Sequence, residues 1–571
     1  MDYSSDNQSY KGAPKREQLL TRLGHLKSER ASWIAHWQEI TSYILPRNGR
    51  YFQQDRNRGY RRHNNIYDNT GTRALRTLGA GMMAGATSPA RQWFRLGTGD
   101  PDLNAYSPVK LWLDTVTKRM QSVFQQSNTY RSLHQMYEEL GAFGTAVSIV
   151  LPDFKNVIHH YPVTVGEYCI ASDYQGMVCT LYREFDKTVA ELVKEFGYKN
   201  CSHSVRNLYD RGSLDQWIPI IHAIEPREDR DSSKKDAKNM PFRSCYFEVG
   251  GDDGKYLREG GYKHFPVMCP RWSVVGGDIY GNSPGMEALG DIKQLQHEQL
   301  RKAQVIDYQT KPPLQVPNSM KNRDVESLPG GITFVDGGSQ GIKTAFEVNL
   351  NLQHLLGDIQ DVRDRVRGSF YADLFMMLAN ATDTRMTATE VAERHEEKLL
   401  MLGPVIERLH NELLDPLIDI TFQHMVQAGI VPPAPPELQG MELEVEFVSM
   451  LAQAQRAIGT NSVDRFVGNL GAIAQMKPDV LDKFDSDKWA DSYSDMLGVD
   501  PNLIVAGKQV AMIRDARNKA IAAKEQTAMM EQQSATAKNL AQSPTGSGQQ
   551  NALMDVMNQF SGYGSPSPSQ V

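Results

Sequence analysis

The chain has 571 residues, 40% of them hydrophobic and 23% charged, with a formal net charge of -6. It is too long for one core and should divide into several domains. No apolar run approaches the ~20 residues that span a bilayer, MDYSSDNQSYKGAPKR lacks the apolar stretch of a signal peptide, and five cysteines without a C-x-x-C pair (Cys169, Cys179, Cys201, Cys245, Cys269) fit a reducing compartment rather than a disulfide framework.

In chain order, Lys15 to Leu45 is expected as a helix, with Leu19, Leu23, Leu26, Trp33, Trp37, Ile40 and Ile44 near one side, stopping near Pro46. Asp68 to Leu96 is expected as a helix rich in small residues that lets a neighbour approach closely. Ser107 is expected to cap a helix with Pro108 at its first position, running to Gln125. Another should cover Tyr130 to Leu140. From Val147 to Trp272 the texture turns to short β-type runs (AVSIVL, VIHHYPV, EYCIAS, MVCTLYREF, WIPIIHAIEP, SCYFEVG, FPVMCPRWSVV) with one short helix at Thr188 to Phe196. That predicts an α/β domain built on a mainly antiparallel sheet.

Two helices then flank a Pro/Gly-rich excursion. The first carries Met286, Leu289, Ile292, Leu295, Ala303 and Ile306; the second carries Leu352, Leu355, Ile359, Val362, Val366 and Phe370. KPPLQVPNSM and LPGGITFVDGG between them cannot continue a helix, so the chain forms a hairpin with a small β-containing tip. Each stripe is too narrow for a core of its own, and copies side by side would close a barrel. A third helix opens at the capping-box spacing Thr387-x-x-Glu390 and runs on through Ile420, with kinks expected at Gly403–Pro404 and Asp415–Pro416. VPPAPPELQG is expected as a stiff linker, MELEVEF as a strand, and the rest to Leu540 as helices. The Ser/Gly/Pro/Gln-rich end is expected to be disordered at least in part.

Charge is segregated. Arg47, Arg50, Arg56, Arg58, Arg61 and Arg62 face one acid, Asp55, with Tyr51, Phe52 and Tyr60 interleaved, whereas Met386 to Phe447 is strongly acidic. Arginines without a lysine suit bidentate pairing with phosphate or carboxylate. A solvated loop, an acidic neighbouring subunit and a nucleic acid all remain open as partners. Catalytic patterns fail on inspection. In GNSPG the residue after Ser283 is Pro284, which has no N–H for an oxyanion hole, so Ser283 is read as a helix cap. Gly79-x-Gly81-x-x-x-Gly85 has the wrong spacing for a dinucleotide and reads as helix packing. No P-loop or metal motif occurs; His159 and His160 are adjacent on a strand and point to opposite faces. The sequence offers no enzyme, cofactor or metal.

YILPRNGRYF followed by DNTGTRALRTLGAGMMAGATSPARQWFRL, then PRWSVVGGDIYGNSPGMEALGDIKQLQ, then MTATEVAERHEEK, occur in that order. Together they resemble the portal, or head-to-tail connector, proteins of T7-like short-tailed phages. The resemblance implies a multi-domain α+β portal fold: wing (1–283), stem helix 1 (284–310), clip (311–345), stem helix 2 (346–378), tunnel loop (379–386), long kinked wing helix (387–430), linker and strand (431–450), helical crown (451–540) and tail (541–571). It implies a homo-oligomeric ring, typically a dodecamer, at one capsid vertex. The ring would conduct double-stranded DNA and meet the terminase large subunit, the major capsid and scaffolding proteins, internal core proteins and a tail adaptor, away from any membrane. Location would be the virion, and host cytoplasm during assembly. In the tunnel loop, Asn380, Thr382, Thr384 and Arg385 would project into the channel, with Arg385 on phosphate or in an inter-subunit ion pair. Leu289, Ile292, Leu355, Ile359, Val362 and Val366 would form the stem's inter-subunit stripe. A mostly acidic third helix fits a bore that does not hold phosphates. The alternative from another class is a coiled-coil-hairpin scaffold without DNA.

Overall fold

The computed structural model describes residues 15–51, 64–100, 106–310, 352–380, 401–449 and 507–542, apart from a few positions within them, and shorter pieces at 103–104, 314–315, 343–344, 466–473 and 484–490. The chain forms two compact units, Met1–Asn469 and Leu470–Val571.

The first unit opens with α1 (Lys15–Tyr43), which serves two cores along its length. Leu19, Leu23 and Leu26 bury against one face of a sheet, whereas Trp37, Ile40 and Ile44 enter the main core. That sheet has five antiparallel strands in meander order, β4 (Tyr168–Ser172), β5 (Val178–Thr188), β6 (Trp217–Pro226), β7 (Phe242–Glu248) and β8 (Arg258–Tyr262). Arginines fasten α1 to it: Arg16 donates to Gly251 O at 2.6 Å and Glu248 O at 2.8 Å, and Arg30 to Tyr168 O. Two short helices, α5 (Val189–Phe196) and α6 (His203–Asp210), pack on the opposite face; α5 begins with a capping box formed by Thr188 and Glu191. A second sheet pairs β2 (Val147–Asp153) with β3 (Val157–Val163) and β9 (Val267–Met268). The expected antiparallel α/β body is therefore present. Strand β8 and helix α6 had no periodic signal strong enough to announce them.

The main core gathers α2 (Thr70–Ala86), α3 (Ser107–Gln126), α4 (Thr129–Phe143), the hairpin helices and the helix across 401–427. Small residues explain how closely α2 packs. A Cβ at Gly81 would stand 2.2 Å from the Cβ of Phe375, and one at Gly79 would stand 2.8 Å from Cγ of Glu138. The glycine pattern is thus helix packing, as its spacing suggested. Gly144, at φ 75, ends α4 in the left-handed region and lets the backbone of Gly281 pass close by.

Several expectations need correction. The helix expected over Asp68 to Leu96 ends at Ala86, and Phe94–Thr98 is β1, paired antiparallel with β12 (Leu443–Phe447). Phe94, Leu96 and Thr98 point inward, a period of two that a helical reading cannot satisfy. Ser107 is the first helical residue of α3, with Tyr106 in the cap position. The Pro-rich segment is not a free spacer: Trp112 Nε1 donates to Pro432 O at 3.1 Å, and Leu438 is buried.

The hairpin has α7 (Pro284–Glu287) and α8 (Leu289–Thr310) on one side, and α9 (Leu352–Ser369) and α10 (Ala372–Asn380) on the other. Within its expected tip only the pair β10 (Leu314–Gln315) and β11 (Lys343–Thr344) lies inside the described residues. The expected single helix over 346–378 is broken at Tyr371, a non-glycine residue at φ 53. In the third helix the expected kink at Asp415–Pro416 takes the form of a π-turn, His410–Leu414, directly before α11 (Asp415–Gln427). Pro416 cannot donate to the preceding turn, and a wider turn accommodates its ring. Its opening at Thr387 lies outside the described residues. In the second unit α12 (Gly507–Gln542) runs for 36 residues, ending two residues past the stretch to Leu540 expected as helices.

Candidate functional site

The arginine-rich segment begins in a 3-10 turn, Pro46–Tyr51, that follows α1. Arg47 is exposed there and Arg50 lies in the same turn; Arg56, Arg58, Arg61 and Arg62 lie outside the described residues. Both ends of the segment are tied down. Asn48 Nδ2 donates to Thr164 Oγ1 at 2.9 Å, and Thr72 Oγ1 donates to Ile44 O at 3.0 Å. On the return side, Gln296 of α8 accepts from Tyr67 N at 2.7 Å and Asp68 N at 2.8 Å, while its Nε2 donates to Asp68 O at 3.0 Å. Arg363 of α9 donates to Asp68 Oδ2 through Nη2 at 2.6 Å and Nε at 3.1 Å, and Gln299 adds a third bond at 3.2 Å. Burial pushes the Asp68 carboxyl up, but bonds from Thr70 and Arg363 outweigh it and hold its pKa below the ordinary value. One acid therefore joins the return of the basic segment to both hairpin helices.

The stripe residues divide. Leu289, Ile292, Ile359, Val362 and Val366 are buried within the single chain, and Leu355 is half-buried. This corrects the expectation that the stripe has no cover inside one protomer. The base of the hairpin packs α8 against α9, with α1 lying against α8 and α2 against both. A Cβ at Gly71 of α2, for example, would meet Ile292 Cδ1 at 2.9 Å. Farther out the same helices expose Ile306 (41%), Tyr308 (49%) and Leu356 (45%).

Of the tunnel-loop residues, Asn380 closes α10, so the expected loop start at Ala379 falls two residues inside a helix; Thr382, Thr384 and Arg385 lie outside the described residues. Helix α10 is anchored through Phe375 on Gly81, and Trp272 meets Tyr371 at 6.3 Å between ring centroids. The third helix is held from within by a buried pair. Arg271 Nη2 and Nε donate to the two oxygens of Glu412 at 2.6 and 3.2 Å, the Arg271 backbone N–H adds a bond at 2.9 Å, and Arg408 reaches Glu412 Oε1 at 3.3 Å. The π-turn holds this glutamate, so Glu412 does not belong to an acidic bore lining. Asp415 is half-buried, and desolvation followed by Asp419 pushes its pKa up to about 6. Glu407 is exposed.

Ser283 is buried; its Oγ accepts from Met286 N at 3.1 Å and donates to Ala142 O at 2.8 Å, the work of a helix cap. His160 is buried on Thr129 at 3.0 Å while His159 meets Tyr161 edge-on, at 4.7 Å between ring centroids. No metal-ligating cluster and no helix able to cross a membrane occurs among the described residues. Sequence reasoning missed the Arg363–Asp68 and Arg271–Glu412 pairs, since their partners stand 295 and 141 positions apart.

Comparison with known proteins fits this assembly of parts. Residues 16–505 match the model of the bacteriophage head to tail connecting protein family. The chain is 64% identical over 551 residues to the probable portal protein of Bordetella phage BPP-1, covering 96% of this chain and 99% of that one. It is 47% identical over 534 residues to the portal protein of Salmonella phage epsilon15, covering 93% and 96%. The neck of an empty gene transfer agent particle gives a TM-score of 0.36 at 10% identity over 76% of this chain and 91% of that one, too loose a likeness to bear on the fold. The scaffold alternative without DNA falls away. The chain belongs to the family of bacteriophage head-to-tail connecting proteins, the portals through which phage DNA passes.

Proposed function

We propose that this chain works as a closed ring, of twelve subunits on the family expectation, set at one capsid vertex of the virion after assembly in the host cytoplasm. The ring would conduct double-stranded DNA inward against the terminase motor, and later outward through the tail adaptor, among capsid, scaffolding and internal core proteins. One observation carries the reading: a hairpin whose base is buried in its own protomer while Ile306, Tyr308 and Leu356 farther out are exposed on the same helices. Exposed apolar positions on a rigid rod suit a repeated side-by-side contact. Class averages of the purified protein viewed along the axis test it. Closed rings with a central hole are expected; extended dimers would overturn the reading.

Within the ring, residues 381–386 are the proposed channel constriction, with Asn380 at its helical edge and Arg385 touching phosphate. Deleting Ala381–Arg385 should leave rings intact and lower the yield of filled heads in a packaging assay, with Arg385→Ala giving part of that loss. Wild-type packaging by the deletion would remove the gating role. Arg47, Arg50, Arg56, Arg58, Arg61 and Arg62 are the proposed basic contact with DNA or an acidic partner. Arg56, Arg58, Arg61 and Arg62 all changed to Gln should weaken that association and flatten its salt dependence.

A further inference from the structure

The five-stranded sheet carries a basic row that the portal reading leaves unused. Directly opposed residues in an antiparallel sheet share a face, and the register joins Tyr168 to Arg183, Arg183 to His222, His222 to Tyr246 and Tyr246 to Arg258. One rung thus crosses all five strands with an arginine on β5 and another on β8. Lys187, farther along β5, extends the basic side. Cations and rings interleave: Arg183 lies 4.1 Å from the Phe185 centroid, Lys187 5.7 Å from Phe196, Arg258 5.3 Å from Phe196 and 4.7 Å from Tyr246, and His222 stacks on Tyr246 at 3.7 Å.

Negative charge does not balance this row. Glu195 serves both Lys187 and, at 3.9 Å, Arg258. Glu191, which accepts from Thr188 N at 3.2 Å at the helix cap, also acts on Lys187, so two carboxylates stand against three cations. Among the described residues Arg183 has no carboxylate partner, and its Nε is buried without an acceptor, as is Nδ1 of the buried His222. Burial first, with Arg183 and Arg258 adding to it, holds the His222 pKa well below its ordinary value, so the imidazole contributes no charge of its own to the row. Space is also at hand: a Cβ at Gly260, in the adjacent rung, would meet nothing within 4 Å.

We propose that Arg183, Arg258 and Lys187 form a phosphate site of the kind that a nucleic-acid backbone or a free phosphate fills. The rings are already covered by cations and cannot stack on bases, so contact falls to phosphate oxygens and carries no sequence preference. Cations spread across a sheet suit a repeated charge better than a lone carboxylate. The choice of nucleic acid as the polyanion rests on the DNA-handling reading; the phosphate site itself does not.

The experiment uses full-length protein with a short labelled DNA duplex titrated at several salt concentrations, and inorganic pyrophosphate in a thermal melt. Arg183→Gln/Arg258→Gln should lower duplex affinity about tenfold at low salt and shrink the slope of log K on log salt by about 2. It should also abolish the rise in melting temperature with pyrophosphate. Arg183→Lys/Arg258→Lys, which keeps the charge, should retain most of the slope and guards against a folding artefact. A melting shift with pyrophosphate but no duplex effect assigns the site to free phosphate. Unchanged duplex affinity and slope together with no pyrophosphate shift, or tighter competition by polyglutamate than by duplex, would overturn the phosphate site. The Arg56/Arg58/Arg61/Arg62→Gln variant in parallel separates the two basic regions: rung losses that persist in its background belong to the sheet, and normal rings in the rung variant leave the channel reading standing.

Discussion

The base and the outer half of the hairpin are built from the same helices and the same apolar spacing, yet they are packed differently. At the base, Ile292, Ile359, Val362 and Val366 are enclosed by α1, α2 and each other, and Arg363 and Gln296 hold Asp68 between them. Farther out, Ile306, Tyr308 and Leu356 face outward from α8 and α9. A continuous stripe in a sequence therefore need not have a continuous purpose. The base is a protomer core; the outer half leaves its apolar side chains exposed.

The sharpest way to break this comparison is a charge in each half. Val362→Asp places an uncompensated carboxylate at a fully buried position, and a loss above about 4 kcal/mol is expected. The variant should be insoluble or unfolded in a denaturant titration, not a folded monomer. A well-folded Val362→Asp monomer would return the base to the inter-subunit surface.

Next comes the buried pair behind the third helix. Arg271→Met leaves Glu412 buried with only Arg408 nearby, and should cost about 3–5 kcal/mol, read as a fall in denaturation midpoint. Arg271→Met/Glu412→Leu should recover much of that loss, which distinguishes a stranded charge from lost packing.

Smaller and pH-dependent is Glu139, buried on α4, whose pKa burial pushes up to about 8 against a bond from Gln135. Its folded state holds a proton that the unfolded chain releases near the ordinary value, so stability contributed at low pH is lost as pH rises through about 8. Glu139→Gln should flatten this decline, gaining about 1–3 kcal/mol at pH 9 relative to wild type. An unchanged slope would mean that Glu139 is ionised in the fold.

The least effect on the protomer is expected in the outer half. Ile306→Ser/Leu356→Ser should alter unfolding by less than about 0.5 kcal/mol, because both side chains are already exposed, while light scattering should show smaller species in place of rings. Normal rings would place the contact elsewhere on the chain.

By itself the sequence determined the elements whose signals are local. The apolar period of α1, the small-residue face of α2, the β runs of the sheet, the short helix from Thr188 and the Ser283–Pro284 helix start all follow from neighbouring residues and backbone chemistry. The order of its signature segments also carried the portal family, because three separate stretches had to agree. Tertiary structure decided what depends on residues far apart in the chain. Phe94–Thr98 is a strand because Leu443–Phe447 pairs with it, and Tyr371 takes a positive φ where α9 gives way to α10. Glu412 is a buried anchor and not a channel charge because Arg271 reaches it. Whether an apolar side chain at helical spacing is core or surface is fixed by what lies opposite, and the spacing of one helix holds no record of that.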